Sequence, residues 1–475
     1  MEQTYLLSLI RALNHEEQSS LMLFLQSPYF NYGANRERVI LLYDYLLDQN
    51  VTMRTKEELY SLIFPDTPLV AGKFDKLMSE LSSLIRKFLL TEHYLDENNA
   101  FTKALEWAVI LRKRGLENRY TQAISQVEKI LDENAVESVE AYHHTFQLAY
   151  EKHDVESINN QLKGDLYIPE ALASLDTYYL ASRLELQNLL LLQQKRTRIE
   201  LPEHLTLSYP DFILRETWEN RILLVISAKI NEQLNAESPS TEAFQEILAL
   251  LQKHDQQIAP LPLQNFYAYL RSFCGLLLNQ GNDSFMPVLH DIQRDNLERG
   301  YLFLNGRLSP SAYLSVARIA IRVGKSSWAL EFIENYKTLL ITEEDAENFY
   351  RFTKAECLFA LTQYEEALEI LPPSFSNMIY LTNCKRLEIK LYYELNSDLL
   401  SYKIDAFKMF ISRASKKVLA DSVRETESNF VNLLQQIVQC PPRDTDKVDR
   451  IIRRIQGKNI IGDREWLLEK AQQLR

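Results

Sequence analysis

Apolar residues along this chain recur every three or four positions, segment after segment, and almost never alternate with polar ones. That period belongs to the amphipathic α-helix, and the lack of sustained alternation predicts essentially no sheet. Leu6, Leu9, Ile10 and Leu13 share one helical face. Asn14 opens the next helix with Glu17 three residues on, a capping-box arrangement, and Thr55 with Glu58 forms a second one. Between them Ser27-Pro28-Tyr29-Phe30-Asn31 ends a helix, and its two aromatics are expected to plug the turn into the core. Phe74, Leu77, Met78, Leu81, Leu84, Ile85 and Phe88 stripe a longer helix over 73–89, whose other face carries Lys76, Glu80, Arg86 and Lys87. Phe101, Ala104, Leu105, Ala108 and Val109 line a helix that breaks at Arg114-Gly115. Further helices are expected over 171–195 and from Phe212 to about Leu234. Ser238-Pro239 and Ser309-Pro310 each read as an N-cap followed by proline in the first turn.

The pattern is clearest from Tyr313 to Leu395. Gly324-Lys325-Ser326-Ser327-Trp328-Ala329-Leu330-Glu331 returns 38 residues on as Thr362-Gln363-Tyr364-Glu365-Glu366-Ala367-Leu368-Glu369. Each copy follows one amphipathic helix and opens a second, the mark of helical pairs stacked into a superhelix. Tyr313, Val316, Ala317, Ala320 and Ile321 stripe one helix, and Ala329, Phe332, Ile333, Tyr336, Leu339 and Leu340 the next. Thr342-Glu343-Glu344-Asp345 restarts the cycle with a capping signal. Small residues (Ala317, Ala329, Ala355, Ala367) sit where two helices must approach closely. On these residues the chain resembles the tetratricopeptide-repeat family, with Gly324 at the turn and Ala329 and Ala367 in the second helices. Tyr313 stands at the family's large position in the first helix, where the second copy has Arg351. A third copy, around Leu391 to Phe410, has Ser401 in place of alanine, so the match covers about a quarter of the chain.

The fold class expected is therefore all-α, a right-handed α-α superhelix with an N-terminal helical cap. The organisation expected is a helical unit over 1–95, a degenerate array of helical pairs over 96–310, tetratricopeptide-like repeats over 311–440 and closing helices over 441–475. In that last stretch Ile451, Ile452 and Ile455 line one helix, and Asp463 is read as the cap of another that presents Trp466 and Leu467. A terminal helix that closes the last repeat is the expectation, with a docking peptide as the alternative.

Composition agrees with helices, since glycine, at 11 residues, is scarce and most of the 15 prolines fall between periodic segments. The net charge of −12 speaks against a nucleic-acid surface, which needs cations against phosphate. Cys274, Cys357, Cys384 and Cys440 are far apart and form no CxxC pair, as expected of reduced, buried thiols in a cytoplasmic protein. Glu2 stands where a secretory signal needs base, and the apolar run Leu189–Leu192 is too short for a membrane span.

No motif carries a specific chemistry. Gly324-Lys325-Ser326-Ser327 resembles the end of a phosphate-binding loop, but Ile319 replaces its first glycine and helices flank it. Glu140, His144 and Glu151 share a helical face near His143 and His153, yet adjacent histidines point apart and no zinc spacing supports them. Neither metal nor cofactor is expected, and no enzyme. The resemblance implies that the first helix of each pair lines a groove for another protein or a peptide. By that implication Leu314, Arg318, Ile321 and Arg322 would face the groove, joined by Phe352, Glu356 and Phe359. Two arginines beside apolar groups suit an acidic, hydrophobic segment. The alternative is that these arginines merely pair with the acidic residues of 343–347. In a second functional reading, 73–89 would enter a DNA major groove while the repeats sense a partner.

Overall fold

The computed structural model describes residues 4–47, 55–65, 67–133, 136–159, 167–197, 220–341, 345–414, 419, 421–441 and 443–475. The chain is all-α apart from one two-stranded hairpin among these residues. It forms two compact units, Met1–Tyr178 and Tyr179–Arg475.

The first unit starts with α1 (Tyr5–Ala12), α2 (His15–Gln26), α3 (Arg36–Leu47), α4 (Lys56–Ile63) and α5 (Lys73–Leu95) around one core. Both capping boxes form: Asn14 with Glu17 and Thr55 with Glu58 exchange side-chain-to-backbone hydrogen bonds in both directions. The α5 stripe is buried through Phe74, Leu77, Leu81, Leu84, Ile85 and Phe88, with Met78 at its margin. The 27–31 turn departs from expectation. Phe30 stacks on Phe24 at 4.2 Å, but Tyr29 is 81% exposed; the buried plug is Asn31, whose amide donates to the Leu25 carbonyl at 3.0 Å. Next come α6 (Ala100–Lys113), α7 (Glu117–Glu133) and α8 (Val139–Asn159), which share a smaller core built on Phe101, Ala108, Leu111, Ile124, Val127 and Leu148.

After α9 (Ile168–Thr197), the second unit continues with α10 (Ile222–Asn235), α11 (Thr241–His254), α12 (Pro260–Asn279) and α13 (Phe285–Glu298). The helix expected from Phe212 begins at Ile222, and residues 212–219 lie outside the described residues. The cap of α11 is Ser240 rather than Ser238: the Ser240 hydroxyl accepts from the Ala243 amide at 3.0 Å, so Pro239 falls outside the helix. A hairpin, β1 (Phe303–Leu304) with β2 (Arg307–Leu308), is the one sheet among the described residues, in keeping with an expectation of essentially none.

Then follow α14 (Pro310–Arg322), α15 (Ser326–Tyr336), α16 (Ala346–Ala360), α17 (Tyr364–Ile370), α18 (Met378–Glu394), α19 (Leu400–Arg413), α20 (Asp421–Val438), α21 (Thr445–Gln456) and α22 (Arg464–Gln472). Ser309 caps α14 with Pro310 in its first turn, as the sequence predicts. Each helix packs on the next, and α14 on α16, α16 on α18 and α20 on α22 as well, the contact pattern of stacked helical pairs. One turn recurs between partners. Gly324, Thr362 and Asn396 are left-handed, and the next amide bonds back five residues, as in Lys325 to Ala320, Gln363 to Leu358 and Ser397 to Tyr392. This satisfies the orphan carbonyls at a helix end. The same turn closes α6 at Gly115 and α12 at Gly281. Ala317, Ala329, Ala355 and Ala367 are fully buried where helices meet. The four cysteines are all free and buried, in α12, α16, α18 and just beyond α20.

Candidate partner-binding face

The helices α14, α16, α18 and α20 are linked side chain to side chain by charges. Arg318 of α14 makes a two-pronged bond to Glu356 of α16, both contacts at 2.8 Å, and its guanidinium lies 5.7 Å from the centre of the Phe352 ring. Lys390 of α18 lies 4.5 Å over the Phe359 ring of α16. Arg386 of α18 pairs with Glu427 of α20. The α18 residues Arg386, Lys390 and Glu394 stand four apart, so one helical face carries all three.

On that face rests α22, which also packs on α20 and α21. Asp463 receives Arg386 Nε at 2.8 Å on one oxygen and Lys390 Nζ at 2.9 Å on the other. Trp466 donates its indole N–H to Glu394 at 2.6 Å, packs edge-on against Tyr393 and lies 5.4 Å from Lys390. Lys470 closes the set with Glu394 at 2.9 Å. The expected capping role of Asp463 is overturned. Its φ of 47° is left-handed, it makes no cap bond, and its carboxylate is drawn to Arg386 and Lys390 instead.

The electrostatics follow from burial and pairing. Burial pushes the Glu427 carboxyl up to about 7, against the pull of Arg386, and its second oxygen has no partner among the described residues. Burial acts the same way on Asp463, but Lys390 and Arg386 outweigh it and hold this carboxyl below its ordinary value. Burial would lower Lys470, yet the bond to Glu394 raises it.

Of the residues expected in the groove, the structure joins Arg318, Glu356 and Phe352, and places Phe359 under Lys390. Leu314 and Phe352 are corrections. Both are buried in the core, because α14 and α16 are packed by neighbours on several sides and need wide apolar stripes. Ile321 is half-buried. Arg322 is exposed with no partner among the described residues. The pairing of Arg318 is with Glu356, not with Asp345, whose carboxylate accepts from Asn348 and from the Ser376 amide. Residues 342–344 of the expected capping signal lie outside the described residues. Arg386, Lys390, Glu427 and Lys470 were not singled out by sequence, since each pairs across many residues.

Elsewhere the chemical-looking motifs resolve into structure. Gly324 to Ser327 is the left-handed turn between α14 and α15. His144 stacks on Phe101 at 4.0 Å, and burial lowers its pKa, while Glu151 is held by Arg112 at 2.8 and 2.9 Å. No group of three metal-ligating side chains occurs among the described residues. No helix among them is long and apolar enough to cross a membrane. Neither a family model, a curated protein nor a solved structure matches the chain.

Proposed function

We propose that the chain is a non-enzymatic scaffold, a right-handed superhelix of tetratricopeptide-like pairs that binds another protein along α14, α16, α18 and α20. One observation carries this reading: a helix, the chain's own α22, already lies on that row, held by an acid, an aromatic and a lysine. Helix-on-helix recognition of this kind uses side chains spaced three and four apart, and Asp463, Trp466 and Lys470 have that spacing. Arg322, exposed and unpaired at the α14 end among the described residues, extends the row toward an acidic partner.

The recurrent left-handed turn and the buried alanines support stacked pairs. The test is affinity capture with Arg322→Glu, which breaks no hydrogen bond or ion pair among the described residues. The proteins retained by the unmodified chain are expected to be lost at unchanged melting temperature. Identical capture by both chains would refute the reading. Arg318→Glu is unsuited, because it sets two carboxylates against each other at Glu356.

A further inference from the structure

The contacts of α22 specify what the face of α18 and α20 recognises. Asp463 answers Arg386 and Lys390, Trp466 answers Glu394 and Tyr393, and Lys470 returns to Glu394. Leu467 and Ala471, on the same side, are fully buried. Read from the helix, the pattern is an acid, an aromatic three residues on, an apolar residue beside it and a lysine four beyond the aromatic.

Trp466, Leu467 and Ala471 are buried in one apolar cluster with Phe430, Ile451 and Ile455, while the helix itself is short and its lead-in is loosely held. At nine residues α22 is too short to persist alone in water. Its first turn lacks a side-chain cap, since Asp463 is committed to α18. Residues 457–460, which lead into it, are exposed. Asp463, just before the helix, keeps 29% of its side chain exposed, so water reaches one side of its ion pairs.

We infer that α22 is a displaceable internal ligand, and that the face of α18 and α20 takes a partner protein's amphipathic helix bearing the same acid, aromatic and lysine pattern. This rests on the reading of the row as a protein-binding surface. Displacement exchanges one set of ion pairs for an equivalent one, so affinity for the partner is the difference between two helices of like design. A bound partner also frees α22.

The probe is a labelled peptide of residues 457–475. It should bind the full-length chain carrying Asp463→Asn with Trp466→Ala at least about tenfold more tightly than the unmodified chain, whose face is filled. Adding Lys390→Met, which keeps the bulk and removes the cation, should weaken that binding by about tenfold. Peptide that binds no chain, or binds regardless of Lys390, overturns the inference. Hydrogen exchange on the unmodified chain keeps it falsifiable if the double variant fails to fold. Amides of α22 should exchange at least about tenfold faster than those of α18 and α20, and equal protection would make α22 part of the core. A dimer formed by trading α22 between copies, seen by light scattering, would also overturn it. Peptide binding that depends on Lys390, with capture indifferent to Arg322→Glu, would uphold this site and reject the broader function.

Discussion

The core of α1–α5 is almost wholly apolar, whereas the apolar cluster of α18–α22 carries a network of ion pairs along α18. In the first, apolar side chains from five helices close on one another, and the buried polar group Asn31 bonds to backbone. In the second, Glu427 is held by Arg386, Asp463 by Arg386 and Lys390, and Lys470 by Glu394, and of these Asp463 keeps the widest edge in water. An apolar core is indifferent to pH and costs volume when cut. A buried ion network is sensitive to pH, and removing one partner strands the other. The first region therefore answers to lost volume and the second also to lost charge.

The two regions should respond differently when each loses one side chain. Phe88→Ala in α5 removes a buried ring and should cost about 4 kcal/mol, the same at pH 5 and pH 8, by urea unfolding. Arg386→Met should cost about 3 kcal/mol at pH 8, where it leaves Glu427 charged and unpaired, and measurably less at pH 5. The sign follows from the raised carboxyl. Folded Glu427 titrates at about 7 and holds its proton more tightly than the unfolded chain does. Its contribution is therefore full below the ordinary carboxylate range, about 4.3, and is lost as pH rises through about 7. Equal costs at the two pH values would show that Glu427 is not the group left behind. The smallest effect is local: Asn14→Ala opens one capping box and should cost about 1 kcal/mol without pH dependence between 5 and 8.

The same contrast explains what was legible. Caps and stripes are written within four residues, so Asn14 with Glu17 and the Phe74–Phe88 stripe can be read directly. The turn at Thr362 was marked by its alignment with Gly324, and both are left-handed. Asp463 and Lys390 lie 73 residues apart, and no local period records such a pair. Asp463 therefore looked like a cap because caps are what local spacing can propose. Ser238 stands before a proline, a signal shared by true first turns and by the residue ahead of them, so local spacing does not single out Ser240. The hairpin turns at Asn305-Gly306, a strong turn signal with positive φ at both residues, but its two-residue strands leave no alternation in the sequence.

The cysteines carry a consequence of their own. Burial pushes the thiols of Cys274 and Cys384 up to about 12 and that of Cys357 up to about 11, and the thiolate is the form that reacts. Cys357 and Cys384 also donate to the carbonyls of Ser326 and Pro372. An alkylating reagent at neutral pH thus reaches each sulfur only while the helices around it stand apart. The second unit carries its own set of timers, one sulfur in each of α12, α16 and α18 and a fourth at the end of α20. Their labelling order would chart how the stack comes open.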